Sequence, residues 1–134
     1  MHATAPAAVN PRGMTLAGRI LIGLVTAFML FDGGAKVAKI EAVVKASEEM
    51  KIPMNVMVGI GAVLVASAIL YAIPKTVVLG AILLTGYLGG AVATNVLLTG
   101  MVFPCVFAVV VGVLTWLGPF LCEPRLRALV PLKT

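Results

Sequence analysis

Charged residues are missing from residues 76–122 of this chain. In soluble domains about 25% of residues are charged, whereas only 11% of these 134 residues are. Because a bilayer core about 30 Å thick takes about 20 residues of α-helix, the uncharged stretch is long enough for two crossings. The lack of charge therefore excludes a soluble globular domain and predicts a membrane protein.

Histidine and cysteine are also scarce. The one histidine is His2, and the two cysteines are Cys105 and Cys122. On one helix these cysteines would lie about 25 Å apart, too far for a disulfide. Haem needs His, Met, Cys or Tyr ligands in facing positions, and iron–sulfur clusters need about four cysteines. The sequence thus predicts no metal site and no required cofactor, and it argues against an enzyme that acts on its own.

The formal net charge is +5, but the basic residues flank apolar runs and form no continuous patch. Such flanks are typical of membrane proteins, so we expect lipid as a partner and no nucleic acid. Arg12, Arg19, Lys75 and the basic residues of the C-terminal tail fall on one predicted side of the membrane. On the other side, acidic residues offset the basic ones. This difference in charge favours an orientation with both termini in the cytoplasm. We expect the membrane to be the inner (plasma) membrane of a bacterial cell.

Apolar runs divide the chain into a flexible N-terminal tail at residues 1–13 and a single membrane domain at residues 14–134. Helices alone satisfy their own backbone groups in lipid, and short connections make neighbouring helices antiparallel. We therefore predict an all-α membrane protein, an antiparallel bundle of four transmembrane helices. The predicted spans are residues 16–35, 54–73, 76–98 and 103–121.

The first apolar run, residues 20–31, is short enough to be either a cleaved signal peptide or a membrane span. Residues 16–35 reach full length if Arg19 snorkels to one interface and Asp32 lies at the other. We favour a retained helix.

A short amphipathic segment is predicted between the first two spans, at residues 36–51. Apolar residues recur there at helical spacing opposite charged ones, which is typical of a helix on the membrane surface. Glu41 and Lys45 are four residues apart in the favourable order, and Asp32 stands in the same relation to Lys36.

Residues 85–95 form the most distinctive segment. Gly86, Gly90 and Thr94 follow the small-xxx-small spacing that lets two helices approach closely, so we predict that they are helix-packing residues. Tyr87 and Asn95 are polar groups inside a span; packing across a seam is the simpler interpretation, and contact with a ligand the alternative. With Trp116, they are candidate contacts for a quinone or a lipid in an otherwise apolar pocket.

This segment, together with residues 70–76 and 31–37, resembles the DoxX-like family of small membrane proteins, and the resemblance covers residues 16–129. It implies a four-helix membrane protein. One relative is associated with a thiosulfate:quinone oxidoreductase and others with redox-defence partners. Family members commonly carry a histidine where this chain has Asn95, and many have a carboxylate in the second helix, where this chain has none. Proton-coupled or metal-linked activity tied to those groups is therefore not expected here.

Three functions are compatible with these features. The first is a non-catalytic accessory or scaffold subunit of a larger energy-linked or redox membrane complex, with protein partners or further copies of itself. The second is a quinone-interacting component of a membrane oxidoreductase. A transporter for a small neutral solute is the weakest, because four short spans show no internal repeat.

Overall fold

A computed structural model describes residues 11–129, and the predicted tail lies outside the described residues except for its last three positions, which are helical. The elements in chain order are α1 (Pro11–Ala38), α2 (Glu41–Met50), α3 (Met54–Ala72), a 3₁₀ turn (Pro74–Thr76), α4 (Val77–Thr94), a π-helical turn (Asn95–Thr99), α5 (Val102–Cys122) and α6 (Pro124–Leu129).

Four of these helices are long and apolar enough to cross a membrane, namely α1, α3, α4 with its flanking turns, and α5. Their neighbours follow a ring, in which α1 contacts α3 and α5, and α4 contacts the same two helices. Each neighbouring pair is antiparallel because successive spans reverse direction. The predicted all-α fold with four spans is confirmed.

Glycines set the close approach of α1 to both of its neighbours. A Cβ atom at Gly33 would lie 2.9 Å from the Gly61 carbonyl oxygen of α3, and a Cβ at Gly118 of α5 would lie 3.2 Å from the Gly18 carbonyl oxygen. Neither seam has room for a larger residue without a shift of backbone. Small residues allow the close van der Waals packing that holds helices together in lipid, where no hydrophobic driving force acts between them.

The centre of the bundle is closed by Met29, Leu64 and Leu84, whose side chains are fully buried. The Tyr71 hydroxyl crosses the bundle from α3 to α5 and donates a 2.8 Å hydrogen bond to the Thr115 carbonyl oxygen.

Proline explains why that carbonyl is available. In a regular α-helix the carbonyl of Thr115 accepts from the N–H four residues later, but that residue is Pro119, which has no N–H. The Tyr71 hydroxyl supplies the donor that the helix lacks. The hydrogen bond that Pro119 removes from α5 is therefore replaced by one from Tyr71 of α3.

The amphipathic segment is shorter than predicted. Lys36 belongs to the last turn of α1, Lys39 has a positive φ of 54° where the chain leaves that helix, and α2 covers only Glu41–Met50. The predicted Glu41–Lys45 pair is present, with a distance of 3.4 Å. Lys51, with φ 56°, turns the chain after α2, and the buried Ser47 hydroxyl donates to the Ile52 carbonyl. These contacts fold α2 back against the start of α3.

Candidate ligand-binding cavity

Asp32 contacts two polar side chains within the bundle. Lys36 Nζ lies 2.6 Å from Asp32 Oδ1, and the Tyr87 hydroxyl of α4 donates a 2.7 Å hydrogen bond to Asp32 Oδ2. Lys36 Nζ also lies 5.7 Å from the centre of the Tyr87 ring. We call Asp32, Lys36 and Tyr87 the polar cluster; it links α1 to α4 across the diagonal of the ring.

Asp32 lies inside α1 and not at its end. We predicted that the first span ends at residue 35 with Asp32 at the interface; α1 continues to Ala38, and the position of the interface stays a prediction. Asp32 thus lies about 9 Å before the end of the helix, and only 14% of the Lys36 side chain is exposed. Charges within a membrane-spanning helix are expensive unless they are paired, and here both carboxylate oxygens have a donor.

A cavity of about 360 Å³ lies beside the polar cluster. Lys36 and Tyr87 line one part of it, and Thr94 and Asn95 line another. The remaining wall is mostly apolar and comes from the α2–α3 connection, α3 and α4; it includes Met50, Ile52, Met57 and Ile60. The fold of α2 back onto α3 is what brings Met50 and Ile52 to this cavity.

Asn95 begins the π-helical turn that ends α4. Its Nδ2 donates a 2.8 Å hydrogen bond to the Ala91 carbonyl oxygen, and its own carbonyl oxygen accepts from the Gly100 N–H at 2.8 Å. Gly100 has a φ of 66°, a conformation that favours glycine. Since an amide nitrogen carries two hydrogens, Asn95 retains a second donor. Single π-turns occur frequently at functional sites.

Gly86 and Gly90 do not pack against another helix of this chain, so their packing against a helix of a partner or a second copy stays a prediction. A Cβ at either position would meet no atom within 4 Å. Both glycines are exposed, and both line the cavity. Thr94 likewise lines the cavity. The cavity therefore reaches the outer face of α4 at two positions where no side chain stands in the way.

The three candidate contacts are only partly brought together. Tyr87 and Asn95 line the same cavity. Trp116 is not among the residues that line it; it lies at the α4–α5 groove, where its Nε1 donates a 2.7 Å hydrogen bond to Thr85 Oγ1. Ligand contact by any of the three stays a prediction.

Two residues of the site were missed by sequence reasoning, namely Asp32 and Lys36. Their spacing predicted an ion pair, and that pair is confirmed, but Asp32 was assigned to the interface and Lys36 to the amphipathic segment, and neither was considered part of a site. The signal in the sequence was a carboxylate and an ammonium four residues apart near the end of one span, together with a tyrosine inside another span.

The cavity offers hydrogen-bond donors in an apolar surrounding. The Lys36 ammonium, the Asn95 amide and the Thr94 hydroxyl can each donate, whereas both oxygens of the carboxylate already accept. Such a site suits an apolar molecule that carries oxygen acceptors. Among residues 11–129 no three His, Cys, Asp or Glu side chains lie together as metal ligands would.

Fold and site together define an integral α-helical membrane protein with four spans and a paired charge cluster beside an amphipathic cavity. A family model described as DoxX-like matches residues 20–118, which include Asp32, Lys36, Tyr87 and Asn95. The chain belongs to the DoxX-like family. No curated protein and no solved structure matches it.

Proposed function

We propose that this protein is a non-catalytic subunit of a redox or energy-linked membrane complex that holds a lipid-soluble ligand of the quinone type. The observation that carries the proposal is the cavity beside the polar cluster, with donors at Lys36 and Asn95 and apolar walls. Quinones are apolar rings with two carbonyl oxygens, and they move within the bilayer. Donors from two different helices that face one apolar pocket suit such a molecule.

The separation of the donors supports a ligand with two acceptors. Lys36 belongs to α1 and Asn95 to the end of α4, so the two groups face the cavity from different helices. The open positions at Gly86 and Gly90 support entry from the lipid, because no side chain blocks the cavity there. The Asp32 carboxylate holds Lys36 and Tyr87 in place from behind.

Binding of a short-chain ubiquinone analogue by the purified protein in lipid nanodiscs tests the proposal. We expect saturable binding that is weakened about tenfold when Lys36→Met and Asn95→Leu are combined, since each lost hydrogen bond is worth about 0.6 kcal/mol or more in a membrane protein. Trp116→Phe serves as the matched control, because it removes a donor that lies outside the cavity. Equal binding by the wild type and the double variant, or equal loss in the control, would overturn the proposal.

A second candidate is a scaffold that associates with other membrane helices and holds no ligand. It is favoured by the outer face of α4, where Gly86, Gly89 and Gly90 are exposed with no atom within 4 Å of a Cβ. Small residues on a lipid-facing surface favour close approach by a helix of a partner or of a second copy. Purification from native membranes in mild detergent tests the association that both candidates require. A lone monomer without partner bands contradicts the scaffold and the subunit role, and leaves the quinone site to the binding test alone.

A further inference from the structure

A second cavity, of about 620 Å³, lies at the opposite end of the bundle, where α1 begins and α5 ends. One face of α1 lines it along most of its length, with Thr15, Arg19, Ile22, Thr26 and Leu30 three or four residues apart. Residues 15 and 30 are about 22 Å apart along the helix. The cavity is thus a long groove that runs from the end of the bundle toward its middle.

Thr26 in this groove carries a buried hydroxyl that has no hydrogen-bond partner among the described residues. Other hydroxyls in the spans behave differently. The side chains of Ser67, Thr85 and Thr115 each donate to the carbonyl four residues earlier in their own helix, at 2.7 to 2.8 Å. A buried polar group without a partner is costly. Because the Thr26 oxygen is closed off from the groove, an acceptor from outside the chain can meet it only after this side chain turns toward the groove.

Arg19 lies at the mouth of the groove and is exposed. No carboxylate in residues 11–129 lies within 4 Å of it as an ion-pair partner. An adjoining hollow of about 400 Å³ is lined by Arg12, Thr15, Leu16 and Arg19, which brings a second guanidinium to the mouth. Glu123 is a carboxylate on the same rim, but basic side chains outnumber it at this end of the bundle.

We propose that this groove binds an anionic membrane phospholipid. Its phosphate pairs with Arg19, and an acyl chain follows the apolar face of α1 toward Leu30. When the lipid binds, the Thr26 side chain turns toward the groove and its hydroxyl donates to an ester carbonyl beneath the phosphate. Charge complementarity at the mouth favours an anion. The length and apolar walls of the groove favour a lipid over a free anion. This site is separate from the cavity at Tyr87 and independent of the quinone proposal.

Native mass spectrometry of the full-length protein with phosphatidylglycerol and phosphatidylcholine of identical acyl chains tests the headgroup contact. We expect phosphatidylglycerol to bind in preference, and Arg19→Gln to reduce that preference about fivefold, as one basic residue near an anionic lipid predicts. Lys75→Gln is the matched control, since it removes a charge at the same end of the bundle but outside the groove. Arg19→Lys should keep the preference.

Equal binding of the two lipids by the wild type, or an equal loss in Arg19→Gln and Lys75→Gln, would overturn the proposal. Protection against heat by inorganic phosphate as strong as that by phosphatidylglycerol would assign a free-anion site instead and would also overturn it.

The hydroxyl contact has its own test. Thr26→Val should weaken both lipids roughly threefold, the effect of one typical hydrogen bond within a membrane, while the preference for phosphatidylglycerol is kept. The same variant should melt no lower than the wild type in lipid-free detergent, because an unpartnered hydroxyl is removed. Ser67→Ala, which loses a hydroxyl that donates within its own helix, should bind both lipids as the wild type does. Unchanged lipid binding in Thr26→Val contradicts the ester contact.

Discussion

The Tyr87 hydroxyl donates to the Asp32 carboxylate across the diagonal of the bundle, at 2.7 Å. Because α1 and α4 are not neighbours in the ring of helices, this hydrogen bond joins two helices that have few other contacts. Lys36 holds the other carboxylate oxygen at 2.6 Å. The polar cluster is therefore a structural link and the wall of a cavity at once, and its two roles can be measured separately.

Removal of the ammonium should cost more than removal of the whole ion pair. Lys36→Met leaves the half-buried Asp32 carboxylate with one donor and no opposite charge. We expect a loss of roughly 2 kcal/mol, below the 3–5 kcal/mol typical of fully buried pairs, because Asp32 is partly exposed. Asp32→Asn combined with Lys36→Met removes both charges and should be more stable than Lys36→Met alone. Unfolding in mixed micelles measures the difference. A double variant less stable than either single variant would show that the charges are not coupled.

The fold could largely be predicted from the sequence, and the reason is physical. A span in lipid must be long, helical and poor in charge, so residues 76–122 and 54–73 identify their helices without knowledge of their neighbours. The i, i+4 pairs Asp32–Lys36 and Glu41–Lys45 are equally local. Both are present.

The site was less accessible to prediction because it depends on contacts between distant segments. The first span was predicted from length and charge alone, with no packing role assigned to Gly33. Gly33 permits close contact with Gly61, and the helix continues past it. The spacing of Gly86 and Gly90 indicates a face without side chains, but not whether a helix or a cavity lies against it. Only the packed bundle distinguishes the two.

Glycine substitutions should separate these two environments by the sign of their effect. At Gly90 a Cβ meets no atom within 4 Å, so Gly90→Ala should leave stability unchanged or raise it by up to about 1 kcal/mol through helix propensity. At Gly61 a Cβ would lie 2.7 Å from the Gly33 carbonyl oxygen, so Gly61→Ala should destabilise the protein. Thermal unfolding of both variants in the same detergent is the measurement. A loss at Gly90 as large as that at Gly61 would indicate a packed seam there after all.

A larger residue at Gly90 should affect ligand access without affecting the fold. Gly90→Leu places a branched side chain at the cavity opening on the outer face of α4. We expect slower association of the ubiquinone analogue with little change in the melting temperature, because the side chain faces open space. Gly89→Leu is the matched control, since Gly89 is exposed on the same helix and is not among the residues that line this cavity. Identical association rates in the two variants would place the entry elsewhere.

Tyr71 and Pro119 should be energetically coupled although they lie on different helices. Tyr71→Phe removes the hydroxyl that donates to the Thr115 carbonyl, and Pro119 cannot donate in its place. We expect Tyr71→Phe to cost about 1 kcal/mol in the wild type, the usual value of an intramolecular hydrogen bond. In a Pro119→Ala background the N–H of residue 119 can donate to the same carbonyl, so the cost should fall by more than half. A double-mutant cycle in mixed micelles measures this coupling. Equal costs in the two backgrounds would mean that Tyr71 acts through packing alone, and that the carbonyl freed by the proline needs no donor from α3.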